Sequence, residues 1–194
     1  MTTSAIPTAP AEFREALDAL AGAEVRPEIE LGSLPAPTRL APWTHALSAA
    51  VVEGGDRPES GSGRFVLLHD PDGVSVWNGT LRIVIFVTAE IDADLATDAL
   101  LPEVAWSWLT DCLDARDAGF TALGGTVTAT SSTRFGDIAG PRRTDDLEIR
   151  ASWTATDSDA LAHLMTFTDL LAVAAGLPPE GVAAIGSGLP PNVR

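Results

Sequence analysis

The stretch "FVLLHDPDGVSVWNGTLRIVIFVTA", residues 65–89, decides how this chain is read. Its two ends, "RFVLLH" from Arg64 and "LRIVIFVTA" from Leu81, are aliphatic and β-branched runs of the kind that form strands. "WNGT" lies between them, and Asn78-Gly79 suits the positive backbone angles of a two-residue type I′ hairpin. From Leu81 to Val87 every residue but Arg82 is apolar, so this strand is expected to be central and covered on both faces. "HDPDG" fits a β-turn: Asp70 bonds back to the chain, Pro71 presets one angle, and Gly73 relieves the exit.

Working outward, "AEFREALDALAGA" places Phe13, Leu17 and Leu20 at helical spacing, with Gly22 near its end. "RPEIELGSLPAPTRLAP" is proline-rich and is expected to lie across the domain as an extended strap. Residues 44–53 read as a strand and 54–63 as a flexible loop. "LLPEVAWSWLTDCLDARDA" is a second helix, with Pro102 in its first turn. "TVTATSSTRF" and "DLEIRASWT" make a second hairpin, and "SDALAHLMTFTDLLAVAAG" a last helix with a capping-box-like start from Thr156 and Asp159 and a stop at Gly176.

The expected fold class is α+β: an antiparallel sheet of five to six strands with helices on one face, in the order α-β-β-β-α-β-β-α. One such domain fills residues 11–176, between a disordered lead (1–10) and a disordered tail (177–194). The last helix is apolar on more than one side, which calls for a second cover, either the strap or a second subunit in a homodimer.

The 194 residues carry 27 acidic side chains against 12 basic ones, a net charge of −15, and every basic residue is an arginine. Without lysine there is neither a Walker-type phosphate loop nor a Schiff base for pyridoxal phosphate. "GSGRFV" at Gly61 lacks the third glycine of a dinucleotide loop, so no cofactor is expected. The charge opposes nucleic acid and anionic membranes, which both need a basic patch. Arg134, Arg142, Arg143 and Arg150 form the one basic cluster, read as a solvated rim with two of them flanking a hairpin, the alternative being a local contact for an acidic partner segment. "MTTSAIPTAP" has no signal-peptide character and no apolar run spans a membrane, so a cytoplasmic protein is expected.

Candidate sites are few. If 44–53 pairs antiparallel with 64–69, His45 falls near His69 and Asp70, and two imidazoles with a carboxylate make a divalent-metal triad. A one-residue slip sends one histidine to the other face. Cys112 lies on the apolar side of its helix and reads as a small buried residue. Five tryptophans are more than the core needs, and partly exposed tryptophan anchors interfaces. Trp43 and Trp106, with His163, Phe167 and Leu170 on the second side of the last helix, are the expected partner-binding residues.

"RPEIELGSLPAPTRLAP", "GRFVLLHDPDG", "WNGTLRIVIFV", "LLPEVAWSWLTDCL" and "LEIRASWT" together resemble an actinobacterial family of domains of unknown function, the one numbered three thousand. That resemblance implies no activity and no catalytic residues. The element order is also similar to type III secretion chaperones, acidic dimers that bind extended segments of other proteins; fold alone does not convey function. The expected function is a non-enzymatic protein-binding adaptor or chaperone-like module. Its partner would be another protein or an extended peptide, taken at the sheet edge 126–134 or beside Trp106. The competing expectation is a small-molecule or metal enzyme or sensor built on His45, His69 and Asp70.

Overall fold

The computed structural model describes residues 9–52, 60–138 and 140–180. Helix α1 (Ala11–Ala21) is followed by strands β1 (Ile29–Ser33), β2 (Trp43–Val51), β3 (Gly61–Val74) and β4 (Gly79–Glu90). A short α2 (Ala93–Ala96) and α3 (Leu101–Ala115) lead to β5 (Phe120–Thr133), β6 (Arg143–Ala155) and α4 (Ala160–Ala174). The six strands form one sheet in the order β1-β2-β3-β4-β6-β5, and every neighbouring pair is antiparallel. The α+β class and the antiparallel sheet are as the sequence predicts. The order gains a fourth strand before α3, because Ile29 and Leu31 alternate with Glu30 and Gly32 and pair with β2. That part of the segment expected as a strap is therefore an edge strand.

Alternation along the strands sends one set of side chains to the helices. Phe65, Leu67, Ile83, Ile85, Val87, Leu147, Ile149 and Trp153 are all buried on that face. All three long helices pack there. Phe167 of α4 lies 5.9 Å from Phe65, ring centre to ring centre. Phe13 of α1 stacks on His69 at 5.9 Å. Trp106 of α3 sits over Gly125 of β5, where an added Cβ would come within 2.9 Å of its ring. Helix α4 begins at Asp159 itself, whose carboxylate accepts from the Ala162 N–H at 3.1 Å, in place of the expected capping box opened by Thr156, and Gly176, at φ +70°, follows its end. Its second apolar side is covered by α1 and α3, so neither a strap nor a second subunit is needed there.

The opening stretch folds differently from its turn reading. "DPDG" does not reverse the chain: β3 continues through it to Val74, which pairs with Gly79. Four residues, Asp70–Gly73, oppose Thr80 alone, so the segment is an enlarged bulge of the special kind. The local chemistry is as expected, with Asp70 accepting from the Asp72 N–H at 3.1 Å and Gly73 at φ +74°. It bends the strand without ending it. The reversal comes at Ser75–Asn78, a four-residue loop in place of the expected two-residue turn. The Trp77 and Asn78 N–H groups bond to the Val74 carbonyl at 2.8 and 3.2 Å, and Asn78 takes φ +58°. Of the predicted loop 54–63, residues 61–63 open β3, because Gly61 and Gly63 pass directly beneath α4; residues 53–59, like the lead 1–8 and the tail from 181, lie outside the described residues. No helix among the described residues is long and apolar enough to cross a membrane.

Candidate functional site

The second face of the sheet has no helix over it among the described residues. This overturns the expectation that β4 is covered on both sides: Val84 and Phe86 point away from the helices and are only half-buried. The register builds a row across this face, running Ser48, Arg64, Phe86, Arg150, Thr126 over β2, β3, β4, β6 and β5. An arginine therefore neighbours Phe86 on each flanking strand. Adjacent strands lie ~4.8 Å apart, so Arg64 and Arg150 start roughly 10 Å apart on their backbones.

The Arg150 guanidinium carbon lies 5.3 Å from the Phe86 ring centre, and its Nε donates to Glu148 Oε1 at 2.7 Å. Arg64 is exposed and makes no ion pair among the described residues. In the neighbouring rows, Val66 and Val84 are half-buried, and Arg82 ties three strands together. Its Nη1 donates to the Ala122 carbonyl at 2.9 Å and to Thr154 Oγ1 at 3.1 Å, while Nη2 donates to Ser152 Oγ at 2.7 Å. A shallow hollow of about 600 Å³ lies along this face, lined by Arg64, Val84, Phe86, Gly124, Thr126 and Arg150. Planar guanidinium forks pair with carboxylates in two parallel hydrogen bonds. The Arg150 fork already holds Glu148 this way, its Nη2 donating to Oε2 at 3.2 Å. The exposed Arg64 is the fork free of ion pairs among the described residues, with the valines and phenyl ring offering apolar contact beside it.

The sequence-predicted partner residues do not form a surface. His163, Phe167 and Leu170 are completely buried against the sheet. His163 Nδ1 accepts from the Trp153 indole N–H at 3.1 Å, and burial pushes its pKa below the ordinary histidine value. Trp43 is half-buried on the helix side, 6.4 Å from Phe13, and Trp106 is half-buried over β5.

The metal set is not assembled either. His69 pairs with Trp43 across β2 and β3, and His45 with Leu67, which puts both histidines on the helix side but in different rows. Asp70 is the next residue after His69 and bonds locally within the bulge. Among the described residues no three His, Cys, Asp or Glu side chains come close enough to hold a metal ion. His69 is fully buried, with Nδ1 3.8 Å from Glu12 Oε2 and neither ring nitrogen hydrogen-bonded among the described residues. Cys112 is buried as expected, and burial with nearby Asp169 and Asp111 pushes its thiol up to about 12, too high for a nucleophile at neutral pH.

Fold and face together define a helix-backed antiparallel sheet with one side unclad among the described residues. The chain belongs to the DUF3000 family of proteins of unknown function, whose model matches residues 9–183. No curated protein and no solved structure matches it.

Proposed function

We propose that this protein is a non-enzymatic cytoplasmic binding module, adaptor-like or chaperone-like, that docks an extended acidic segment of another protein on the unclad face of its sheet. One observation carries the reading: β4 is apolar on both sides, and the described residues cover only one of them. Exposed apolar surface rimmed by polar groups marks interaction sites. In the Arg64–Phe86–Arg150 row, Arg150 is paired with Glu148 and Arg64 is the cation left to favour a carboxylate on the segment, while the net charge of −15 opposes a polyanionic nucleic acid. The buried histidines and the protonated Cys112 thiol support a packing role for those residues.

The test is a photo-crosslinking residue placed at Val84 in living cells of the native host, with Glu103 on the exposed side of α3 as control. The expected result is one protein crosslinked at position 84 and not at 103, through an acidic segment, and lost when Arg64→Glu and Arg150→Glu are combined. Identical crosslinking patterns from the two positions would remove this reading.

A further inference from the structure

The two edges of the sheet are built differently. β1 is five residues long, contains Glu30, and runs into a segment with Pro35 and Pro37. Shortness, charge and proline are the usual means of protecting an edge from pairing. β5 uses none of them: its 14 residues, "FTALGGTVTATSST", hold no charge and no proline. A bulge between Thr121 and Gly124, with Ala122 at φ +50°, interrupts only its beginning. From Thr126 to Thr133 the ladder with β6 is continuous, and the other side of β5 pairs with no strand among the described residues.

Past this edge the β5–β6 pair projects as an arm. Pairing of β4 with β6 ends at Glu90 and Asp146, whereas β5 and β6 stay paired to Thr133 and Arg143. The base of the arm is fixed by Asp145, which is buried and accepts hydrogen bonds from Ser131 and from Arg143. Its tip exposes two large apolar residues, Phe135 at 72% and Ile138 at 65%. Residues 134–143 carry Arg134, Arg142 and Arg143 against Asp137 alone, so the tip is cationic on a strongly acidic chain.

We infer that β5 pairs with β5 of a second copy, antiparallel about a two-fold axis normal to the sheet near Ala129 and Thr130. Three features select a second copy. A two-fold axis there brings an uncharged strip against itself, the place where two chains of charge −15 meet with least repulsion. Antiparallel pairing supplies partners for the open backbone groups of Thr126–Thr133. The same symmetry carries each arm past Thr126 of the other copy toward its bulge at Ala122–Gly124. Beside that bulge lies a hollow of about 430 Å³ lined by Leu113, Asp114, Asp117, Ala118, Gly119 and Phe120. Its exposed Asp114 and Asp117 complement Arg134 and Arg142 of the tip, and the half-buried Phe120 ring offers a contact for Phe135 or Ile138. The joined sheets place both unclad faces on one side, so pairing at β5 leaves the Arg64–Phe86–Arg150 row open and stands independently of the docking proposal.

Sedimentation equilibrium of the full chain tests it. The parent should run at twice the 20.2 kDa chain mass at micromolar concentration. Thr128→Lys with Thr130→Lys, both on exposed positions, should give a monomer that keeps the parent's far-ultraviolet circular dichroism and melts lower only by the stabilisation that association supplies. Phe135→Ser with Ile138→Ser should weaken the dimer by about tenfold or more without touching the ladder. A monomeric parent at high micromolar concentration, or a dimer indifferent to both double variants, would overturn the inference.

Discussion

Phe65 and Phe86 separate the two faces of the sheet with a single pair of substitutions. They occupy neighbouring rows of β3 and β4 and point in opposite directions. Phe65 is completely buried beneath α4, with its ring against Phe167. Truncating such a residue to alanine removes its transfer free energy and leaves a cavity, so Phe65→Ala should cost about 3–5 kcal/mol. Phe86 is half-buried and has open space above it. Full burial of a phenylalanine contributes up to about 3 kcal/mol, so half of it accounts for about 1.5 kcal/mol at most. The Arg150 contact adds ~0.5–1 kcal/mol, while threonine in its place keeps β-propensity. Phe86→Thr should therefore cost about 1–2 kcal/mol. Urea unfolding followed by tryptophan fluorescence reads both, with the midpoint of Phe65→Ala falling clearly farther, by at least half as much again. Equal losses would refute the reasoning. They would mean that Phe86 is already covered, by a segment of this chain outside the described residues, and the docking reading would fall with it.

Two further outcomes follow from the core. A Cβ at Gly63 would lie 2.7 Å from the Phe167 ring and 2.7 Å from the Phe86 carbonyl oxygen. Overpacking of this kind costs about 1–3 kcal/mol, so Gly63→Ala should lower Tm by several degrees despite the better strand propensity of alanine; an unchanged Tm would mean that α4 sits farther from β3. His163 is held neutral by burial, and the unfolded chain takes up its proton more readily than the folded one. Stability from this group is fully present above the unfolded histidine pKa near 6.5 and is lost as pH falls from there toward the folded value, with a slope of up to about 1.4 kcal/mol per pH unit. His45, also lowered by burial, contributes with the same sign. Urea midpoints measured below pH 6.5 should fall more gently in His163→Gln than in the parent, and parallel profiles would remove His163 as the cause.

Much of the fold is legible in the chain because it rests on local periodicity. The helical stripes of α1 and α3, the capping Asp159 and the stopping Gly176 are local signals, and each element forms where its signal lies. β1 was within reach too, since Ile29 and Leu31 alternate with Glu30, but the surrounding prolines mask a period of two over so few residues. "DPDG" carries true turn chemistry, and only tertiary pairing of Val74 with Gly79 turns it into a bulge. Sequence supplies the turn's hydrogen bonds; it does not say how much of the next strand continues beyond them.

The site was hidden for a different reason. Arg64, Phe86 and Arg150 share no local pattern, and they meet only because β4 pairs with β6 and not with β5, in one particular register. The histidines misled by the opposite route: His45, His69 and His163 are the residue type that most often does chemistry, yet all three lie on the helix side, where they pack. The better clue was β4 itself. A strand apolar at successive positions demands two covers. Helices α1, α3 and α4 already account for one, and α4 draws its own second cover from α1 and α3. The unmet demand therefore falls on the Val84 and Phe86 side, where arginines stand in a row on a chain otherwise dominated by carboxylates.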